Sequence, residues 1–252
     1  MSSPQPQPYD ANLRPSRPLA GLLTIFFSPA DTFDMAGKRP WIVPMIATTL
    51  LVSLLSFMTI QVMGMGTIVR NRLESNTKLA EQMGPEKINE AVQNSEHSTA
   101  QRVISYVAPA VVLPLVMVVL AGVTFGGLTI TGASTTFNAA LGAVAWAFYA
   151  VMVVTTIGSA IFLALTKDFS GVDPNGMLML NAGAFMDKST TSPVVRALAG
   201  GIDLVAFWSM FLEIIGLQRL SQRVTIGQAA GVVITLYVLV LLCKVGWAAM
   251  FG

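Results

Sequence analysis

The chain has one cysteine, Cys243, and one histidine, His97. The first excludes an internal disulfide and a cysteine-based zinc site, and the second excludes a multi-histidine metal centre. Charge is scarce too: 11% of the residues are Asp, Glu, Lys or Arg, where a soluble globular domain carries about 25%. The formal net charge of +2 comes from scattered basic pairs, so the basic patch that nucleic acid requires is missing. Also absent are a Ser/His/Asp set, an H-E-x-x-H helix, a Walker-type phosphate loop and a carboxylate cluster with metal spacing. These gaps point away from an enzyme, a metal and a bound cofactor. Cys243 lies in an apolar run and reads as a buried packing thiol. His97 reads as an ordinary loop residue.

What the chain has in abundance is apolar sequence, 54% of all residues. A bilayer crossing needs about 20 consecutive apolar residues, and five stretches meet that need, at about 41–63, 103–130, 139–166, 195–217 and 226–251. The expected fold is all-α: a polytopic membrane protein with five transmembrane helices, an N-terminal interfacial helix and an extramembrane helical hairpin. Its environment is the lipid bilayer. Residues 1–18 are rich in Pro, Ser and Gln and are expected to be a disordered arm ahead of a membrane domain over 19–252. They hold no signal-peptide apolar region.

Leu19, Leu22, Leu23, Phe26 and Phe27 recur at helical spacing over too short a run to cross, which predicts a helix lying in the interface. Ser28, Pro29 and Asp31 read as a helix start, and Gly37 as its stop. Trp41 opens the first span, with Pro44 in its first turn. Residues 64–102 are the one long polar stretch; Arg70, Glu74 and Lys78 stand four apart and Gly84-Pro85 interrupts the pattern. Its five basic and five acidic residues cancel, as on a solvated helical cap.

Pro109 and Pro114 are expected to kink the second span, while Gly122, Gly126 and Gly127 allow another helix to come close. Ala139, Ala143 and Ala147 make a small-residue stripe on the third. Between the third and fourth spans, Asp173-Pro174-Asn175-Gly176 is a turn signal, and the apolar run after it is too short to cross. That run is expected to lie in the interface or dip against the bundle.

The fourth span carries Asp203 and Glu213, and the fifth carries Lys244. A charged group near the bilayer centre costs about 2.5–3.5 kcal/mol on insertion scales, so such groups face a partner, water or the bundle interior. Asp203 and Lys244 each lie eight residues from the same membrane edge, roughly 12 Å at the helical rise. Equal depth on antiparallel neighbours makes them a candidate intramembrane charge pair. The alternative has Lys244 snorkelling outward and Asp203 accepting hydrogen bonds from hydroxyls. Glu213, nearer the other edge, is within reach of Arg219 or Arg223, or else snorkels. Gly227 and Gly231 form a G-x-x-x-G pair, and with Gly200 and Gly201 they are the candidate helix-packing residues.

The count of Lys and Arg on the two sides does not decide the orientation; the basic pair Lys38-Arg39 directly before the first span favours a cytoplasmic N-terminus.

Several segments, in order, resemble the Yip family, five-span membrane proteins named for interaction with Ypt/Rab GTPases, and in particular its bacterial branch. They are Ser28-Pro29 with Phe33, then Pro40-Trp41; Phe137, Leu141 and Trp146-Ala147; Asn181-Ala182-Gly183-Ala184-Phe185; Ile202-Asp203-Leu204 with Trp208; and Lys244-Val245-Gly246-Trp247. The resemblance implies an all-helical Yip domain, a cytoplasmic N-terminus, an extracytoplasmic C-terminus and, in a bacterium, the inner membrane. Eukaryotic members partner Rab GTPases in vesicle transport. They carry a D-L-x-G-P stretch before the first span, where this chain has Ala36-Gly37-Lys38-Arg39-Pro40, which argues against a Rab-type partner.

Two functions compete. One is a non-enzymatic scaffold that organises the membrane or binds a membrane-protein partner or a second copy of itself. The other is a small-solute, ion or proton transporter or channel working through Asp203 and Lys244.

Overall fold

The computed structural model describes residues 17–75, 77–172, 177–178, 180–187, 190–221 and 223–251. Most of the expected arm over 1–18 and the Asp173-Pro174-Asn175-Gly176 turn lie outside these. Among the described residues every regular element is helical. Ten α-helices follow in order: α1 (Pro18–Thr24), α2 (Pro29–Asp34), α3 (Ile42–Met63), α4 (Met65–Ser75), α5 (Thr77–His97), α6 (Thr99–Ile130), α7 (Phe137–Leu165), α8 (Pro193–Gly200), α9 (Leu204–Leu220) and α10 (Ile226–Phe251). A 3-10 turn occupies Ala182–Phe185.

Four of these helices, α3, α6, α7 and α10, are long and apolar enough to cross a membrane. The fourth expected span, 195–217, is instead broken into α8 and α9, with 201–203 between them. Its glycine pair and Asp203 are poor helix-interior residues, and the surroundings described below make use of the break. His97 ends α5 rather than sitting in a loop, and Cys243 is exposed on α10 rather than buried. At 32 residues α6 starts earlier than expected, taking in the polar Thr99–Arg102 turn, and it stays helical through both Pro109 and Pro114. Gly84 does break α5, at φ 72° and ψ 164°, a conformation that glycine alone adopts freely.

The chain divides into two compact units, 1–47 with 115–150 and 208–236, and 48–114 with 151–207 and 237–252. In the first, the opening half of α7 is the centre: Ala139, Ala140, Ala143, Ala145, Trp146, Ala147 and Ala150 are all at most 3% exposed. Small side chains let neighbours approach closely, the packing mode available where lipid is as apolar as leucine. A Cβ at Gly142 would stand 2.6 Å from Pro40, one at Gly216 2.7 Å from Phe33, and one at Gly21 2.6 Å from Trp146. Polar staples finish the unit. The Trp41 indole donates to Asn138 Oδ1 at 2.9 Å, and Asn138 Nδ2 donates to the Lys38 carbonyl at 2.9 Å. At the start of α2, Pro29 takes the first helical position as expected, but the Ser28 hydroxyl donates to the Asp31 carboxylate rather than capping the backbone.

In the second unit Ile60, Met63, Met65, Ile68, Leu163 and Met177 form a buried cluster, so Met177 of the short apolar run packs inward, while Leu180 and Phe185 of the same run are exposed. Above it sits Asn71, 3% exposed. Its amide nitrogen donates to the carbonyls of Phe169 at 2.7 Å and Val172 at 2.9 Å, and its oxygen accepts from Gly171 N–H at 3.2 Å. One buried amide thus satisfies three backbone groups of the turn that leaves α7. Asn71→Ala should cost about 1–3 kcal/mol through the unsatisfied turn, read as a lower unfolding midpoint in detergent. Asn71→Asp, which sets a carboxylate against two carbonyls, should cost at least as much.

Candidate functional site

Asp203 is the first residue of interest, because a helix broken among apolar neighbours exposes carbonyls on one side and amides on the other. Its Oδ1 accepts from Val205 N–H at 2.8 Å and Ala206 N–H at 3.0 Å. Asp203 is therefore the N-cap of α9, where a negative charge also suits the helix dipole. A short antiparallel pairing supports it from the side: Asn181 bridges to Asp203, Ala182 N–H donates to Ile202 at 3.0 Å, and Leu204 N–H donates to Leu180 at 3.1 Å. Asn181 Oδ1 in turn accepts from Ala184 N–H at 3.1 Å, capping the 3-10 turn. On the α8 side the Tyr237 hydroxyl of α10 donates to the Gly201 carbonyl. Leu241 lies so close that a Cβ at Gly201 would meet it at 2.6 Å. Gly201 is therefore a packing residue, and Gly200 is only 4.0 Å from Asn181 by the same measure.

Lys244 is exposed on α10, and among the described residues no ion pair joins it to Asp203. In the structure the Asp203 carboxylate caps α9 through Oδ1, using the amides opened by the helix break. Glu213 also departs from expectation. It is partly buried and accepts from Thr124 Oγ1 of α6 at 3.1 Å, not from an arginine. Arg219 meets Asp34 of α2 at 3.7 Å, and Arg223 is exposed, its backbone bridged to Ser134. Among the described residues a Cβ at Gly231 would meet nothing within 4 Å and one at Gly227 only the Thr225 hydroxyl at 4.0 Å, and the close approach is Val232 on Gly127 instead. The two glycines line an open groove of about 790 Å³ between α6 and α10.

Asn71 and Tyr237 were not singled out from the sequence, and Asn181 entered only as part of a family-like segment. A lone Asn or Tyr looks the same in sequence whether it faces water or a frayed backbone. Outside the apolar helices, the exposed Asp168 carboxylate accepts from the Ser170 hydroxyl at 2.7 Å and its N–H at 2.9 Å. Those bonds, the hydroxyl first, hold its pKa below the ordinary aspartate value. Among the described residues no group of three or more His, Cys, Asp or Glu is arranged to hold a metal ion.

The family model described as the Yip1 domain matches residues 23–248, which takes in every helix named above except the first turns of α1 and the last of α10. No curated protein and no solved structure matches the chain.

The cap and the ion pair make different demands on the same residue. Asp203→Asn keeps a good capping group and should leave the unfolding midpoint nearly unchanged, whereas Asp203→Ala should lose about 0.5–2 kcal/mol. Lys244→Gln should change little, and exchanging the charges, Asp203→Lys with Lys244→Asp, should restore nothing. Recovery on exchange, measured by thermal unfolding in detergent, would return the residue to the ion pair.

Proposed function

The chain belongs to the Yip family, and from that membership we propose that it is a non-enzymatic integral membrane protein that organises the bilayer, or a membrane partner, around its interfacial N-terminal helix. The observation that carries this reading is the two-faced docking of α1 and the turn after it. On the inner face Gly21 abuts Trp146, Tyr149 donates to the Leu22 carbonyl at 3.0 Å, and Ile25 is 1% exposed. On the outer face Leu19, Leu23 and Phe27 recur every four residues at 72%, 73% and 88% exposure. Each such side chain gains about 1.5–3 kcal/mol on leaving water, so a helix held rigidly with this stripe outward is an interfacial anchor.

In this reading α9 is a fifth crossing. Its 17 residues span about 25 Å, within the lower range for a transmembrane helix. The protein sits in a bacterial inner membrane with the N-terminus in the cytoplasm, where Lys38 and Arg39 meet anionic headgroups. The competing reading, transport through Asp203 and Lys244, has less support, since the Asp203 carboxylate is engaged in capping α9.

Proteoliposomes separate the two. The scaffold reading expects no proton or solute flux above that of protein-free vesicles; a flux that Asp203→Ala abolishes would overturn it. Anchoring is read with a fluorophore on Leu23→Cys in a Cys243→Ser background, which brominated lipid should quench strongly, while a water-exposed probe would sink the anchor.

A further inference from the structure

The second unit contains a cavity of about 480 Å³ walled by α3, α4, α6, α7 and the 177–178 segment, within the range of small-molecule sites. Its lining is unusual for a membrane bundle. Ser56 and Thr59 of α3, Ser105 of α6, and Thr155 and Ser159 of α7 all border it, and none of these five hydroxyls has a hydrogen-bond partner among the described residues. Elsewhere in the same helices such groups bond backward along their own helix, as Ser53 does to Thr49 at 2.8 Å and Thr129 to Phe125 at 2.8 Å. Thr59 and Ser159 are 7% and 2% exposed and border the cavity, whose contents, water or ligand, are left to satisfy them. Pro109, also in the wall, lacks the N–H that would bond the Ser105 carbonyl, leaving a further acceptor there.

Arg72 is the one charged side chain in the lining. Its neighbour Arg70 is engaged, donating to Asn89 at 2.9 Å and pairing with Glu74 at 3.6 Å, but the Arg72 guanidinium has no partner among the described residues. Gln101 stands with it in the wall. Along α6 the wall changes from Gln101 to Ala108 and Pro109, and along α3 from Thr59 to Val52, about 10–12 Å of helix in each case. One end of the cavity is thus basic and hydrogen-bonding, and the other apolar.

We propose that this cavity binds an anionic phospholipid with a polyol headgroup: the phosphate lies on Arg72, the polyol hydroxyls exchange hydrogen bonds with the Ser and Thr set, and an acyl chain lies on Val52 and Leu55. Arginine is suited to phosphate by its fixed fork of donors, and basic pockets between membrane helices recognise lipid headgroups in this way. A soluble polyol phosphate shares the headgroup chemistry but makes no use of the apolar end. The inference deepens the scaffold reading by naming the lipid it selects, and rests on that reading only for placing α3, α6 and α7 in a bilayer.

The test uses the full chain in detergent, with phosphatidylglycerol, phosphatidylethanolamine or phosphatidylcholine added and retention read by native mass spectrometry. One phosphatidylglycerol should be retained with about tenfold preference over the other two, which carry the same phosphate but set a cationic headgroup, in place of a polyol, beside Arg72. Arg72→Gln, on the exposed side of α4, should remove that preference. Thr59→Val with Ser159→Val should lower phosphatidylglycerol retention while leaving phosphatidylcholine unchanged, and Arg223→Gln should have no effect. Equal retention of the three lipids, or a preference that survives Arg72→Gln, would overturn the proposal. Displacement by glycerol 3-phosphate at equal concentration would overturn its lipid part. Because no flux is measured, failure here leaves the scaffold reading standing, and an Asp203-dependent flux would leave the lipid result standing.

Discussion

A backbone N–H or C=O with no partner in hydrocarbon costs several kcal/mol, and no water is there to relieve it. The break between α8 and α9 is built around that cost. Asp203 takes two amides at the head of α9, Tyr237 serves the Gly201 carbonyl, and the strand-like contact of 180–182 with 202–204 takes the rest. The segment 180–182 supplies backbone partners where the helix is interrupted. Asn71 applies the same rule at the exit from α7, where it holds three backbone groups of the 169–172 turn. Asp203, Tyr237 and Asn71 are thus each engaged by backbone.

The complementary device is the use of small residues. Around Trp146, Phe33 and Pro40 the chain places Gly21, Gly216 and Gly142 where even a methyl group would collide, and the alanines of α7 fill the same layer. Dispersion contacts are short-ranged, so close approach is worth more than large side chains when the alternative solvent is lipid. The consequence reaches the surface. With Ile25 and Phe33 buried, Leu19, Leu23 and Phe27 are left exposed. The Yip1 domain match covers these close contacts from residue 23 onward.

Much of the architecture was readable from residue spacing. The starts and stops at Pro29, Gly37 and Gly84-Pro85 were legible because proline and glycine act on the backbone at their own position. The long apolar helices were legible because burial in lipid depends on summed hydrophobicity over 20 residues, which is a sequence property. The capping role of Asp203 was not legible for a matching reason. Depth was counted along a continuous helix, and a helix interrupted at 201–203 offers the carboxylate its own backbone first. Glu213 was assigned an arginine by proximity along the chain, while its partner Thr124 is 89 residues away. The G-x-x-x-G pair of Gly227 and Gly231 names a surface fit for close packing, but which surface is packed depends on the neighbour, and here Gly127 receives Val232.

The sequence by itself determined that the protein is helical, lies in a membrane and belongs with the Yip family, since each of these follows from composition, local periodicity or ordered motifs. Only the tertiary structure decided where the fourth apolar segment breaks, which polar groups Asp203 and Glu213 serve, and that five hydroxyls and Arg72 converge on one cavity. Those outcomes depend on contacts between residues tens to a hundred positions apart, and no property of a residue's own neighbourhood in the chain carries that information.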